Sequence, residues 1–266
     1  MTSDRKTLLT SDGARISYTD EGDGQAVVML HGMLCHGGHW AFQRGALLDA
    51  GFRVIAVDLR FHGESESPDY GQHVSRMGQD LGELISHEQL GDVILVGHSM
   101  GVSVALAYMS LQGTASIAKL VAIDQAPRIV NDDTWAWGVR HVAWGSLEAQ
   151  INGELPWSEF EREPEAPAHV QEMLADVGGI GDFFASPLTL RVDHFVSDWR
   201  DVLPRVDVPT WVVTSAHSPS FPLEGMHWVT ETIPDARLTV YPNSGHCPHW
   251  NEYQDFNTDL IAFLTY

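Results

Sequence analysis

The sequence predicts an α/β protein: a mostly parallel sheet with flanking helices and an inserted helical cap. Three observations predict it. Short apolar, β-branched runs alternate with longer stretches of helical spacing, the pattern of strands joined by helical crossovers. One run leads into Gly97-His98-Ser99-Met100-Gly101 and then a helical stretch, the strand–turn–helix setting of a reactive serine. From about residue 127 to residue 200 the alternation stops, and a region rich in aromatics takes its place.

In chain order, residues 15–18 alternate like an edge strand. Residues 26–30, 53–57, 93–96 and 119–123 are continuous apolar runs suited to strands buried on both faces. Residues 210–214 and 237–241 read as two more strands. Between them, residues 40–50, 74–89, 102–111, 224–232 and 253–264 have helical spacing and length. The region from 128 to 200 holds Trp135, Trp137, Trp144, Trp157, Phe160, Phe183, Phe184, Phe195 and Trp199, cut into short helices by Pro156, Pro164, Pro167 and Pro187. An insertion there would sit over the C-terminal ends of the strands, where α/β sheets bind ligands. The expected organisation is a core from residues 1–127 and 201–266 with a helical cap at 128–200.

Bulk properties exclude several function classes. With 15 Lys and Arg against 36 Asp and Glu, the net charge is −21. Such a field repels phosphate backbones and anionic lipid, so neither nucleic acid nor a membrane is an expected partner. Residues 1–6 are polar and lack a signal peptide's apolar stretch, and no apolar run reaches membrane-spanning length. Two cysteines, Cys35 and Cys247, make no disulfide framework. A reducing cytoplasm is the expected compartment. No dinucleotide or phosphate loop is present, and His36-x-x-His39 lacks a third ligand at zinc spacing. No cofactor is expected.

The glycines around Ser99 allow a backbone turn too tight for larger side chains, and the following helix points its N-terminus at the site. His31-Gly32-Met33 follows an earlier strand, so the backbone N–H of Met33 can join that of Met100 in an oxyanion hole. His31 is expected to brace its loop. His36 and His39 either face substrate or brace the same loop. His98, beside Ser99, is expected to pack or hydrogen-bond rather than react. Asp58-Leu59-Arg60-Phe61-His62-Gly63 reads as a structural loop. His246, in Pro242-Asn243-Ser244-Gly245-His246, follows the last strand and stands where a general base would face the serine.

The acid is the informative member. After the strand at 210–214 the chain reads Ser215-Ala216-His217-Ser218-Pro219, with Ser218 where an aspartate would be expected. Serine cannot carry the charge that stabilises an imidazolium. Asp124, ending Val121-Ala122-Ile123-Asp124, is the expected partner of His246 instead.

Through Gly97-His98-Ser99-Met100-Gly101, His31-Gly32-Met33, His246 and the strand order, the whole chain resembles the α/β-hydrolase superfamily. That likeness implies an eight-stranded sheet, but it does not choose a reaction. A narrower likeness does. Asp124 as the acid, Ser218 in place of one, the Cys35-His36 loop and Ser65-Glu66-Ser67-Pro68-Asp69-Tyr70-Gly71 are similar to the cofactor-independent dioxygenases that open 2-alkyl-3-hydroxy-4(1H)-quinolones. The likeness implies that a His246–Asp124 dyad deprotonates the 3-hydroxyl, that O₂ adds, and that carbon monoxide and an N-acylanthranilate leave. Ser99 and His36 would orient the substrate, Met33 and Met100 would stabilise charge on its C4 oxygen, and cap aromatics such as Trp157 would enclose it. The partners implied are a small hydrophobic aromatic substrate and O₂, with the chain a monomer or homodimer. The alternative is hydrolysis of esters or lactones, with Ser99 as nucleophile. A non-enzymatic receptor for a small apolar ligand is the third reading.

Overall fold

The computed structural model describes residues 5–154 and 165–266. Eight strands form one sheet: β1 (Arg5–Leu9), β2 (Arg15–Glu21), β3 (Ala26–Leu30), β4 (Arg53–Val57), β5 (Val93–His98), β6 (Ile117–Ile123), β7 (Thr210–Ser215) and β8 (Ala236–Tyr241). Their order is β1-β2-β4-β3-β5-β6-β7-β8. The first two pairings, β1 with β2 and β2 with β4, are antiparallel, and the rest are parallel. All seven strand segments expected from the sequence are present.

β1 was not expected. Its residues are mostly polar, and only Leu8 turns fully inward, which suits an edge strand but leaves almost no apolar signal. Residues 15–18 therefore belong to an inner strand, paired on both sides, and not to the edge.

Helices α1 (Ala41–Asp49), α2 (Val74–His87), α3 (Met100–Gln112), α4 (Leu147–Ile151), α5 (Ala168–Val177), α6 (Leu188–Val196), α7 (Leu223–Thr232), α8 (Pro248–Asn251) and α9 (Tyr253–Thr265) complete the described chain. The sheet separates two apolar layers. Leu30, Val57, Leu95 and Leu120 face α2 and α3, while Met29, Val96, Trp211 and Val213 face α9. Successive strand residues alternate between the layers, which is why these runs carry no polar position. α3 is buried along most of its length and so lacks a polar stripe.

Between β6 and β7 the described chain holds α4, α5 and α6 but no strand. Pro167 and Pro187 stand immediately before α5 and α6, where a missing N–H costs nothing. Trp135, Val142, Ile151, Leu190 and Phe195 from this segment join the same apolar cluster as the α2/α3 side of the sheet. Trp135 is buried and Trp144 exposed, while Trp157, Phe160, Pro156 and Pro164 lie outside the described residues. Among the described residues no helix is long and apolar enough to cross a membrane.

Candidate active site

Because β3, β5, β6, β7 and β8 run parallel, the residues after them emerge at one edge of the sheet. Ser99, Asp124, Ser218 and His246 all follow such strand ends. Adjacent strands thus bring together side chains from distant parts of the sequence.

Ser99 sits at φ 51°, ψ −123°, between β5 and α3. Its N–H donates to the Ile123 carbonyl at 2.9 Å, and its own carbonyl accepts from Val102 N–H at 2.9 Å. The flanking glycines have a packing reason. A Cβ on Gly101 would stand 2.0 Å from the Leu30 carbonyl oxygen, and one on Gly97 would stand 2.8 Å from the Gly101 carbonyl carbon. The turn thus presses α3 against β3 and holds Ser99 in its strained left-handed backbone. Met100 opens α3, two residues earlier than the sequence suggested, so its N–H has no intrahelical acceptor. Gly32 is also close-packed, though less tightly and against side chains: a Cβ there would lie 2.9 Å from His98 Nδ1 and 3.1 Å from Ser99 Cβ. Met33, the next residue, lines the space in front of Ser99.

His246 Nδ1 donates to Asp124 Oδ2 at 2.6 Å. Asp124 is fully buried and also accepts from Thr214 Oγ1 at 2.6 Å and from Ser218 Oγ at 2.7 Å. Its N–H donates to the Val213 carbonyl at 2.8 Å, and its φ is 45°, a conformation aspartate tolerates better than most residues. Ser218, the residue in place of an acid, is therefore a donor to the acid on the neighbouring strand. Three hydrogen bonds suit an ionised carboxylate, which in turn holds the proton of His246 on Nδ1 and leaves Nε2 as the basic nitrogen. The loop before His246 is anchored by Glu252, which accepts from Asn243 N–H at 3.0 Å and from Ser244 Oγ at 2.6 Å.

The other histidines divide by what they hold. His31 Nε2 accepts from Leu59 N–H at 2.9 Å, so Nδ1 carries the proton and donates to Gly32 O at 2.7 Å. That neutral form agrees with a pKa pushed well down by burial. His98 bonds the His246 carbonyl at 3.1 Å, its ring centroid 4.7 Å from that of His246, and burial likewise keeps it neutral. His36 caps a short 3₁₀ turn (Gly37–Trp40), and its Nε2 donates to Val177 O at 3.0 Å. His39 Nε2 donates to Gly179 O at 3.1 Å. His36 and His39 thus tie the loop after β3 to the end of α5. His36 lines neither cavity that contains Ser99, so the structure gives it a bracing position and not the substrate-facing one expected for it. Phe61, in the structural loop, has φ 70°, a value that favours glycine.

Two cavities meet at Ser99 and His246. One, of about 330 Å³, is lined by Gln125, Ile129, Phe183, His194 and Phe221. The other, of about 230 Å³, is lined by Cys35, Val170, Leu174, Cys247 and Trp250. Met33, Leu34, Ser99 and His246 belong to both, and neither has a charged Lys, Arg, Asp or Glu in its described wall. Thr214, Gln125 and His194 were not singled out from sequence. Thr214 is the last residue but one of a strand of buried residues and Gln125 directly follows the acid, so position alone offered a signal for them. Nothing in the sequence marked His194. Among the described residues no group of three or more His, Cys, Asp or Glu side chains is arranged to hold a metal ion.

Comparison with known proteins gives a consistent picture. The profile of the Alpha/beta hydrolase family matches residues 27–259. The chain is 30% identical to the non-heme chloroperoxidase of Kitasatospora aureofaciens, over 96% of this chain and 98% of that protein. Among solved structures it is similar to the esterase EaEST from Exiguobacterium antarcticum, with a TM-score of 0.86 and 27% identity over 98% of this chain and 99% of that one. The bromoperoxidase from Bacillus anthracis shares the fold, with a TM-score of 0.85 at 24% identity over 99% of this chain and 100% of that one.

Proposed function

This chain belongs to the alpha/beta hydrolase family, and from that premise we propose that it is a serine hydrolase of neutral carboxylic esters. The observation that carries the reading is the His246–Asp124 hydrogen bond beside a serine on a strained turn, with both Ser99 and His246 in the cavity walls. The names of the relatives, esterases and haloperoxidases, support it.

In this mechanism Ser99 Oγ attacks the ester carbonyl carbon, and its proton passes to His246 Nε2. Asp124 stabilises the imidazolium through Nδ1–H, and the N–H groups of Met33 and Met100 stabilise the oxyanion. As the tetrahedral species collapses, His246 returns the proton to the leaving alcohol, and the acyl group stays on Ser99. Water, deprotonated by the same base, then releases the acid. Hydrogen peroxide attacking in place of water would release a peracid. That outcome fits a relative named bifunctional esterase/perhydrolase, from Acinetobacter calcoaceticus, which is 24% identical.

One observation favours a second reading. The acid is at the end of β6 and Ser218 stands in place of an acid after β7, two of the features on which the sequence resembles the quinolone dioxygenases. None of the relatives named above bears that activity in its name. In that reading the same dyad deprotonates a 2-alkyl-3-hydroxy-4(1H)-quinolone, and Ser99 only orients it. One variant separates the two. Ser99→Ala is expected to lower kcat for p-nitrophenyl esters by roughly 10⁴-fold. Oxygen uptake and carbon monoxide release on the quinolone, with Ser99→Ala losing little, would replace ester hydrolysis with the dioxygenase reading.

A further inference from the structure

The larger cavity contains a polar group that the proposed chemistry does not use. His194, on α6, is only 5% exposed and lines the same cavity as Ser99 and His246. Its Nδ1 is buried and has no hydrogen-bond partner among the described residues. The other buried histidines differ. His31, His39, His62 and His98 each hold a backbone group, and His249, whose Nδ1 also lacks a partner among the described residues, is packed among Trp40, His98 and Trp250 and lines neither cavity.

A buried imidazole nitrogen with nothing to bind gives up its hydration without compensation. The surrounding wall is mostly apolar. Ile129, Val139, Phe183, Phe195 and Phe221 carry no polar side-chain atom, Gln125 donates its amide N–H to Ala126 O at 2.8 Å, and Ser220, the other polar residue of that wall besides Ser99 and His246, makes no hydrogen bond to His194 among the described residues. Burial pushes His194 down to about 4, so at neutral pH the ring is uncharged and presents one donor and one acceptor nitrogen. A neutral ring in an uncharged cavity supplies no countercharge to offset the desolvation of a carboxylate, and a protein of net charge −21 repels one.

We propose that His194 is a specificity-determining residue: it hydrogen-bonds an uncharged polar group (an ether, carbonyl or hydroxyl oxygen) that the substrate carries away from the scissile bond. This rests on the ester-hydrolase reading for the reaction, though not for the binding step. The substrate class is then a neutral ester with an oxygen function in an otherwise apolar acyl or alkoxy group. The two cavities divide that substrate at the carbonyl over Ser99, and the part bearing the polar group enters the compartment under α6.

The test compares isosteres that differ only by an oxygen. The p-nitrophenyl esters of 4-methoxybutanoic and hexanoic acids place it in the acyl group, and 2-methoxyethyl and butyl benzoates place it in the alcohol. In one of these pairs the full-length protein is expected to prefer the oxygenated ester by roughly tenfold in kcat/KM. His194→Phe, which keeps a ring of similar bulk, should abolish the preference, and His194→Gln should retain much of it. The same ratio, read as calorimetric Kd for the non-hydrolysable ketones 5-methoxy-2-pentanone and 2-heptanone, does not depend on turnover. Esters that are not hydrolysed at all would sink the hydrolase reading alone. A ratio near one for the ester pairs and the ketones, or one that His194→Phe leaves intact, would overturn the role of His194.

Discussion

At the residue scale the site turns on one carboxylate and its donors. Asp124 accepts from His246, Thr214 and Ser218, so its negative charge is satisfied within a buried pocket. Asp124→Asn should lower kcat by about 10⁴-fold, because the amide can force the wrong tautomer on His246. Ser218→Asp should also lower activity, since two carboxylates at that separation cannot both ionise at neutral pH and one would take up the proton. Combining the two changes restores a single acid, now after β7, and the double variant should recover at least tenfold over Asp124→Asn alone. Steady-state kinetics of the three variants check this. A double variant no better than Asp124→Asn would mean that Ser218 cannot present an acid to His246. Phe61 shows the converse limit of residue-level reading. Its sequence position reads only as part of a structural loop, and the backbone alone shows the left-handed φ of 70° that favours glycine there.

At the element scale the decisive contact is α3 against β3. Gly101 lets the first turn of the helix approach the Leu30 carbonyl more closely than any Cβ permits. Gly101→Ala must therefore move α3, and Ser99 with it, because the obstacle is backbone and not a flexible side chain. A loss of at least about 3 kcal/mol in unfolding free energy is expected, measured by urea denaturation. An equally stable variant would show that the turn relaxes locally. Gly45 is the control: a Cβ there would meet nothing within 4 Å, so Gly45→Ala on α1 should be neutral or stabilising by up to about 1 kcal/mol. The bracing of the β3–α1 loop also belongs to this scale. His36 and His39 bind carbonyls at the end of α5, so the loop carrying Met33 is fixed by the segment inserted between β6 and β7.

At the scale of the whole molecule, several buried histidines make stability depend on pH. Burial pushes His39 and His194 down to about 4 and keeps His31, His98 and His249 well below 6.5. In the unfolded chain all titrate near 6.5. As pH falls from about 6.5 towards 4, the unfolded state binds protons that the folded state refuses, so folding free energy is lost across that window. Tm from calorimetry should be highest above pH 7 and fall steadily from pH 6.5 to pH 4.5. A constant Tm over this range would contradict the neutral burial of these rings.

The sequence by itself determined the class of fold and the location of the reactive edge. Unbroken apolar runs specify strands buried on both faces, and Gly97-x-Ser99-x-Gly101 specifies a turn that only glycine permits. It also directed attention to Asp124, because Ser218 stood where an acid was expected. What it could not determine depends on groups brought together across the sheet. The role of Ser218 as a donor to Asp124, the tethering of His36 to Val177, and the placing of His194 in one cavity with Ser99 join residues 94, 141 and 95 positions apart. Local periodicity reports which face of an element is buried. Only the tertiary structure decides what that face meets.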